Sequence, residues 1–194
     1  MSIIISKPNP RDHKELLYPR FADKMRQFEM KLWAVRLPFY SFCGLRSFEE
    51  QAVEYLKGRM APGPECMHKG ESKPRPIGSC QIHPFGLIVT KARPGESWHQ
   101  YGLADDYVPD GMAEKPSIQW SWQAFLDADN NKRNDWVQMA TIARDMGLDS
   151  AWWWKEFKEA PHVQCTFGLT LPQAQGLYKI GGLPRVWAEL DKAA

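Results

Sequence analysis

Residues 96–108 read ESWHQYGLADDYV. Gly102 breaks the chain between His99 and LADDYV, whose alternation has the two-residue period of a strand. In such a strand Leu103 and Asp105 point to one face, and Ala104 and Asp106 to the other. Only one aspartate can therefore share the face turned toward His99. Periodicity alone leaves open which of the two it is.

Outward from this stretch the chain reads as a compact α+β domain, a small antiparallel sheet with helices packed around it. On the N-terminal side, residues 11–36 carry Phe21, Met25, Phe28 and Leu32 at helical spacing. LPFYSFCGLRS (37–47) reads as a short buried strand. SFEEQAVEYLKGR (47–59) reads as a helix whose start resembles a capping box, Ser47 with Glu50 three residues on. Residues 61–86 are rich in proline and glycine and read as an irregular excursion. LIVT (87–90) is expected to be a brief strand and ARPGES (92–97) a turn. DWVQMATIARDMGL (135–148) is an amphipathic helix that stops at Gly147. HVQCTF (162–167) follows, and LPQAQGLYKIGGLPRVWAEL (171–190) suggests two short helices around a Gly-Gly turn.

Bulk properties narrow the function classes. A length of 194 residues suits one domain with a real core, so a single domain over 1–194 is expected. A formal net charge of +2 is too small for a nucleic-acid footprint. No run approaches the roughly 18 apolar residues of a membrane span, and the N-terminus lacks the pattern of a secretory signal. Synthesis in the cytoplasm is the expectation, and nothing demands more than a monomer. Four cysteines in such a protein default to reduced thiols, with Cys43 and Cys165 in apolar surroundings as small buried residues.

A second histidine stands in a pointed setting, EFKEAPHVQ (156–164). Glu159 precedes His162 by three residues, and Pro161 restricts the backbone between them. A hydrolytic zinc site needs three protein ligands, an open position and a carboxylate to take a proton from water. His99, one aspartate, His162 and Glu159 supply that set. On residue types alone, two such clusters are more often hydrogen-bonded structural groups than a metal site. His13, in a polar N-terminal stretch, reads as a surface residue.

The order of motifs changes the weight. SWHQYGLADD (97–106) resembles the S-x-H-x-x-G-x-A-x-D signature of the VanY-like D,D-carboxypeptidase and L-alanyl-D-glutamate endopeptidase superfamily. CGLRSFEEQ (43–51) resembles its G-x-R-S-x-x-x-Q segment, and WKEFKEAPHVQ (154–164) its W-x-x-F-x-[DE]-x-P-H-x-[QE] segment. KGRMAPG (57–63) and VTKARPGES (89–97) resemble the stretches that lead into the histidine motif. Residues 168–190 are similar to the tail of phage endolysins in this group.

The resemblance implies a D,D-peptidase or hedgehog-like zinc peptidase fold, with His99, Asp106 and His162 as zinc ligands. It makes Glu159 the catalytic base and Arg46 the group that meets the developing oxyanion. Ser97 and Gln51 fall at positions lining the substrate site. Trp154 and Phe157 occupy motif positions expected to pack behind the metal, while Trp152 and Trp153 stay open between packing and substrate contact. The implied activity is zinc-dependent cleavage of the peptide stem of bacterial peptidoglycan, by an L-alanyl-D-glutamate endopeptidase of the bacteriolytic endolysin type. Such an enzyme reaches the wall after holin-type release or other export. Many endopeptidase members carry aspartate at the base position. Glu159 therefore keeps a D-alanyl-D-alanine carboxypeptidase open, with Arg46 or Lys91 to hold a terminal carboxylate. A wall-binding module without catalysis is the alternative from another class. Asp105 takes a position the family fills with apolar residues, and the expectation is that it faces solvent or pairs with a basic neighbour.

The excursion at about 64–86 is a departure from the family. It holds Cys66, His68, Cys80 and His83, which could form a second, structural zinc site or a disulfide, with free thiols as the default.

Overall fold

The computed structural model describes residues 14–57, 59, 88–109, 125–127 and 130–192. The segments holding His13, Cys66, His68, Cys80 and His83 lie outside them. The chain divides into two compact units, Met1–Leu45 with Tyr101–Ala194, and Arg46–Gln100.

The larger unit contains strands β1 (Phe39–Cys43), β2 (Ala104–Pro109), β3 (Asp149–Ser150) and β4 (His162–Gln164). They form one four-stranded sheet in the order β1-β2-β4-β3, with every pairing antiparallel. Helix α1 (Pro19–Ala34) begins with proline in its first turn, where the missing N–H costs no helical hydrogen bond. Phe21, Met25, Phe28 and Leu32, the four residues at helical spacing, are all fully buried. Burial of side chains this size contributes about 1.5–3 kcal/mol each. Phe28 meets the ring of Tyr107 edge-on at 5.1 Å, which lays α1 against one face of β2. The amphipathic helix at 135–148 forms as Asp135–Asp145, capped by the Asn134 side chain and stopped by Gly147 at φ 71°. Its Trp136 packs on Phe39 of β1.

The C-terminal helix Leu171–Asp191 is broken at Gly181 and Gly182, whose backbone angles are not helical, so the expected Gly-Gly break is present. Trp187 beyond the break donates to the carbonyl of Tyr101 at 2.9 Å. Gly102 follows with φ 70°, and a Cβ there would stand 3.1 Å from both the Trp187 ring and the Tyr18 backbone nitrogen. The glycine two residues before β2 is thus demanded twice, by conformation and by crowding.

The smaller unit carries the helix Phe48–Leu56, here α2, which makes α3 of Asp135–Asp145 and α4 of Leu171–Asp191. Ser47 caps α2 with the reciprocal bonds of a capping box, Glu50 N–H to Ser47 Oγ and Ser47 N–H to Glu50 Oε2. ARPGES contains the expected turn, with Gly95 at φ 90°. The strand expected at LIVT is not there: Ile88, Val89 and Thr90 are irregular, and Ile88 is 48% exposed. β-branched residues favour a strand only when a neighbouring strand and a buried face receive them.

Candidate metal centre

Strand register decides what the sequence alone left open. Asp106 stands opposite His162 across β2 and β4, and opposite Cys43 across β2 and β1. Directly opposed residues share a face, so Cys43, Asp106 and His162 form a row across three strands. Asp105 is turned to the other face with Tyr107, where Ser41 Oγ donates to its carboxylate at 2.8 Å. Asp105 is fully buried, which corrects the expectation that it faces solvent. The reason is the position of β2. It is an inner strand with both faces covered, and an aspartate there is retained by a hydroxyl donor.

On the opposite face, His162 Nδ1 lies 3.3 Å from Asp106 Oδ1. His162 Nε2 lies 2.9 Å from Gln164 Oε1. An amide oxygen only accepts, so Nε2 carries a proton. A neutral ring would then turn the Nδ1 lone pair on an anionic oxygen, which is repulsive unless a cation stands between them. A proton or a metal ion meets that need. Two donors on a tetrahedral zinc, each about 2.0–2.1 Å from the metal, stand about 3.3 Å apart. The Asp106–His162 pair fits zinc.

The charge on His162 follows the same logic. Burial, the largest single effect, lowers its pKa. The hydrogen bond and charge of Asp106, the charge of Glu159 and the bond to Gln164 together outweigh it and raise the value to about 9. In the metal-free protein this ion pair stabilises the fold fully below the ordinary histidine value of 6.5 and fades as pH rises through about 9. Urea denaturation of the metal-free protein at about pH 6 and about pH 10 is expected to show a stability advantage over Asp106→Asn at the lower pH only. An equal advantage at both values would mean that the pair is not ionised.

Glu159 is half-buried, and its backbone carbonyl accepts from the His162 N–H at 3.2 Å. The Trp154 ring lies 5.5 Å from the imidazole, and Phe157 is half-buried. Trp153 leans on α3, its indole N–H donating to the Ala140 carbonyl with Arg144 over its ring. Trp152 has the Lys158 ammonium 5.4 Å above its ring.

In the smaller unit, Arg46 N–H donates to the carbonyl of His99 at 3.2 Å, and His99 is 2% exposed. Gln51 is fully buried at the foot of α2. Its Oε1 accepts from the Arg46 guanidinium at 2.9 Å and its Nε2 donates to the Ala92 carbonyl at 2.8 Å. Gln51 thereby braces Arg46 against the chain at Ala92. Ser97 is 8% exposed, and its backbone N–H points to Gln100 Oε1.

Three residues at this face were not singled out for it by sequence. Cys43, read as core, is buried, and its sulfur lies within 4.8 Å of an Asp106 carboxylate oxygen. A bulge between Ser41 and Cys43 sets that register, and no periodicity foretells it. Gln164 fills the last position of the W-x-x-F-x-[DE]-x-P-H-x-[QE] match but is given no role there, although two residues from His162 in a strand is the same face. Asp149 carries no sequence signal at all.

No protein-family model matches the chain. It is 32% identical over 121 residues to the peptidoglycan L-alanyl-D-glutamate endopeptidase CwlK of Bacillus subtilis (strain 168). That match takes in 62% of this chain and 56% of the relative, so the chain spans little more than half of the relative's length. Among the described residues no helix is long and apolar enough to cross a membrane.

Proposed function

We propose that this chain is a zinc-dependent peptidase that cuts the peptide stem of bacterial peptidoglycan, at the L-alanyl-D-glutamate bond. The observation that carries the reading is the Asp106–His162 pair, two donors facing each other at 3.3 Å with the far imidazole nitrogen already engaged. The likeness to a peptidoglycan L-alanyl-D-glutamate endopeptidase supports the substrate. His99, Asp106 and His162 would hold the zinc, His99 by virtue of its place in the S-x-H-x-x-G-x-A-x-D motif, within a D,D-peptidase-like fold that forms a single catalytic domain. When bound, the metal supplies a Lewis acid for the scissile carbonyl and makes water a better nucleophile near neutral pH.

The protein's own groups do the rest. Glu159 takes the proton of the attacking water and returns it to the leaving amine. Arg46, a cation at any working pH, offers its planar donors to the oxygen that gains charge as the carbonyl carbon becomes tetrahedral. Gln51 holds that guanidinium still, so it contributes to the substrate site through Arg46. Ser97 lines the substrate path. The enzyme works as a monomer and acts at the wall as a phage-type endolysin after holin-type release. The likeness of residues 168–190 to endolysin tails supports that setting.

Glutamate rather than aspartate at position 159 favours one second reading, a D-alanyl-D-alanine carboxypeptidase. Digestion of purified peptidoglycan by the zinc-loaded protein, with mass analysis of the products, separates the two. New stems beginning with D-Glu are the expected result. Loss of terminal D-Ala alone would replace the endopeptidase by the carboxypeptidase, and no product from zinc-loaded protein would leave a wall-binding module.

A further inference from the structure

On the sheet face that carries His162, a closed circuit of side chains leaves the imidazole and returns to it. His162 Nε2 and Gln164 Oε1 are 2.9 Å apart. Gln164 Nε2 donates to Asp149 Oδ2 at 2.9 Å, and Trp154 Nε1 donates to Asp149 Oδ1 at 3.0 Å. The Trp154 ring then lies against the imidazole, 5.5 Å between centroids. Strand pairing builds the circuit, because Asp149 of the edge strand β3 stands directly opposite Gln164 of β4.

Each link has one allowed direction. An ionised carboxylate only accepts and an indole N–H only donates. With Trp154 on one oxygen and Gln164 on the other, Asp149 forces the Gln164 NH₂ toward itself and the amide oxygen toward His162. That oxygen in turn demands a proton on Nε2. We propose that Asp149 is a positioning residue which, through Gln164 and braced by Trp154, locks His162 in the tautomer that leaves Nδ1 facing Asp106 to bind the metal. This rests on the reading of Asp106 and His162 as zinc ligands. Partners behind a ligating histidine commonly set its tautomer, and losing one typically costs 10–100-fold in metal affinity.

The test compares the wild type with Asp149→Asn and with the double variant Asp149→Asn, Gln164→Glu. In the single variant, Trp154 keeps an oxygen acceptor and the new amide NH₂ faces Gln164. Gln164 then turns its oxygen to position 149 and its NH₂ to His162, driving the imidazole proton onto Nδ1. The glutamate of the double variant accepts from both sides and restores the original direction.

Zinc affinity is read by chelator competition, and the imidazole tautomer by long-range ¹H–¹⁵N correlation of the zinc-loaded protein. We expect Nε2–H and metal-bound Nδ1 at His162 in the wild type, a loss of affinity of about tenfold or more in Asp149→Asn, and recovery in the double variant. Unchanged affinity in Asp149→Asn, or zinc on Nε2 in the wild type, overturns the relay while leaving the site reading intact. So does a loss that the double variant fails to recover, since that loss is merely structural. A wild-type protein that takes up no zinc sinks the site reading and the relay with it.

Discussion

Asp106→Asn is expected to lower zinc affinity at least about 100-fold, whereas Asp105→Asn leaves it within a few-fold of wild type. The two changes are chemically identical and adjacent, so the contrast isolates position. Asparagine at 106 removes the anionic oxygen that faces His162 Nδ1 at 3.3 Å and leaves an amide there, a far weaker ligand for zinc. It also removes the main group that favours charge on His162 in the metal-free state. Asparagine at 105 changes the opposite face. It can still accept from Ser41, but it places an NH₂ group in a fully buried position. The expected cost there is stability, about 1–3 kcal/mol, read as a lower urea midpoint with unchanged zinc content. Zinc retained at full affinity by Asp106→Asn would remove that residue from the site.

The contrast also shows where sequence reasoning stopped. Alternation in LADDYV correctly split the two aspartates between faces, because a strand's period is a local property of the backbone. Which face meets His162 depends on a pairing between residues 56 positions apart, and register of that kind is set by partners rather than by either strand alone. The expectation that Asp105 faces solvent failed for a related reason: β2 lies between β1 and β4 with helix α1 over the Tyr107 side. Helix α1, the Ser47 cap and the Gly-Gly break were legible because spacing, capping chemistry and glycine act within a few residues. Asp149 was not legible, since β3 is only two residues long and offers no period to detect. LIVT had the composition of a strand, yet composition without a partner made irregular chain over residues 88–90.

Glu159→Ala is expected to cut turnover of peptidoglycan stems by about 10²–10⁴-fold, the range for loss of a positioned general acid–base. Zinc content and fold should stay close to wild type. The fold expectation is structural: what Glu159 gives its surroundings through the backbone is an N–H to the Ala151 carbonyl and a carbonyl to the His162 N–H, and alanine keeps both. The zinc expectation follows from the proposed ligand set: Glu159 is not among His99, Asp106 and His162, so its replacement removes no donor to the metal. A variant that loses both metal and activity would mean that Glu159 acts on the site's assembly rather than on the proton. Retained turnover with zinc bound would take it out of the mechanism altogether. Only loss of turnover with the metal in place fits a residue that moves the proton of the attacking water.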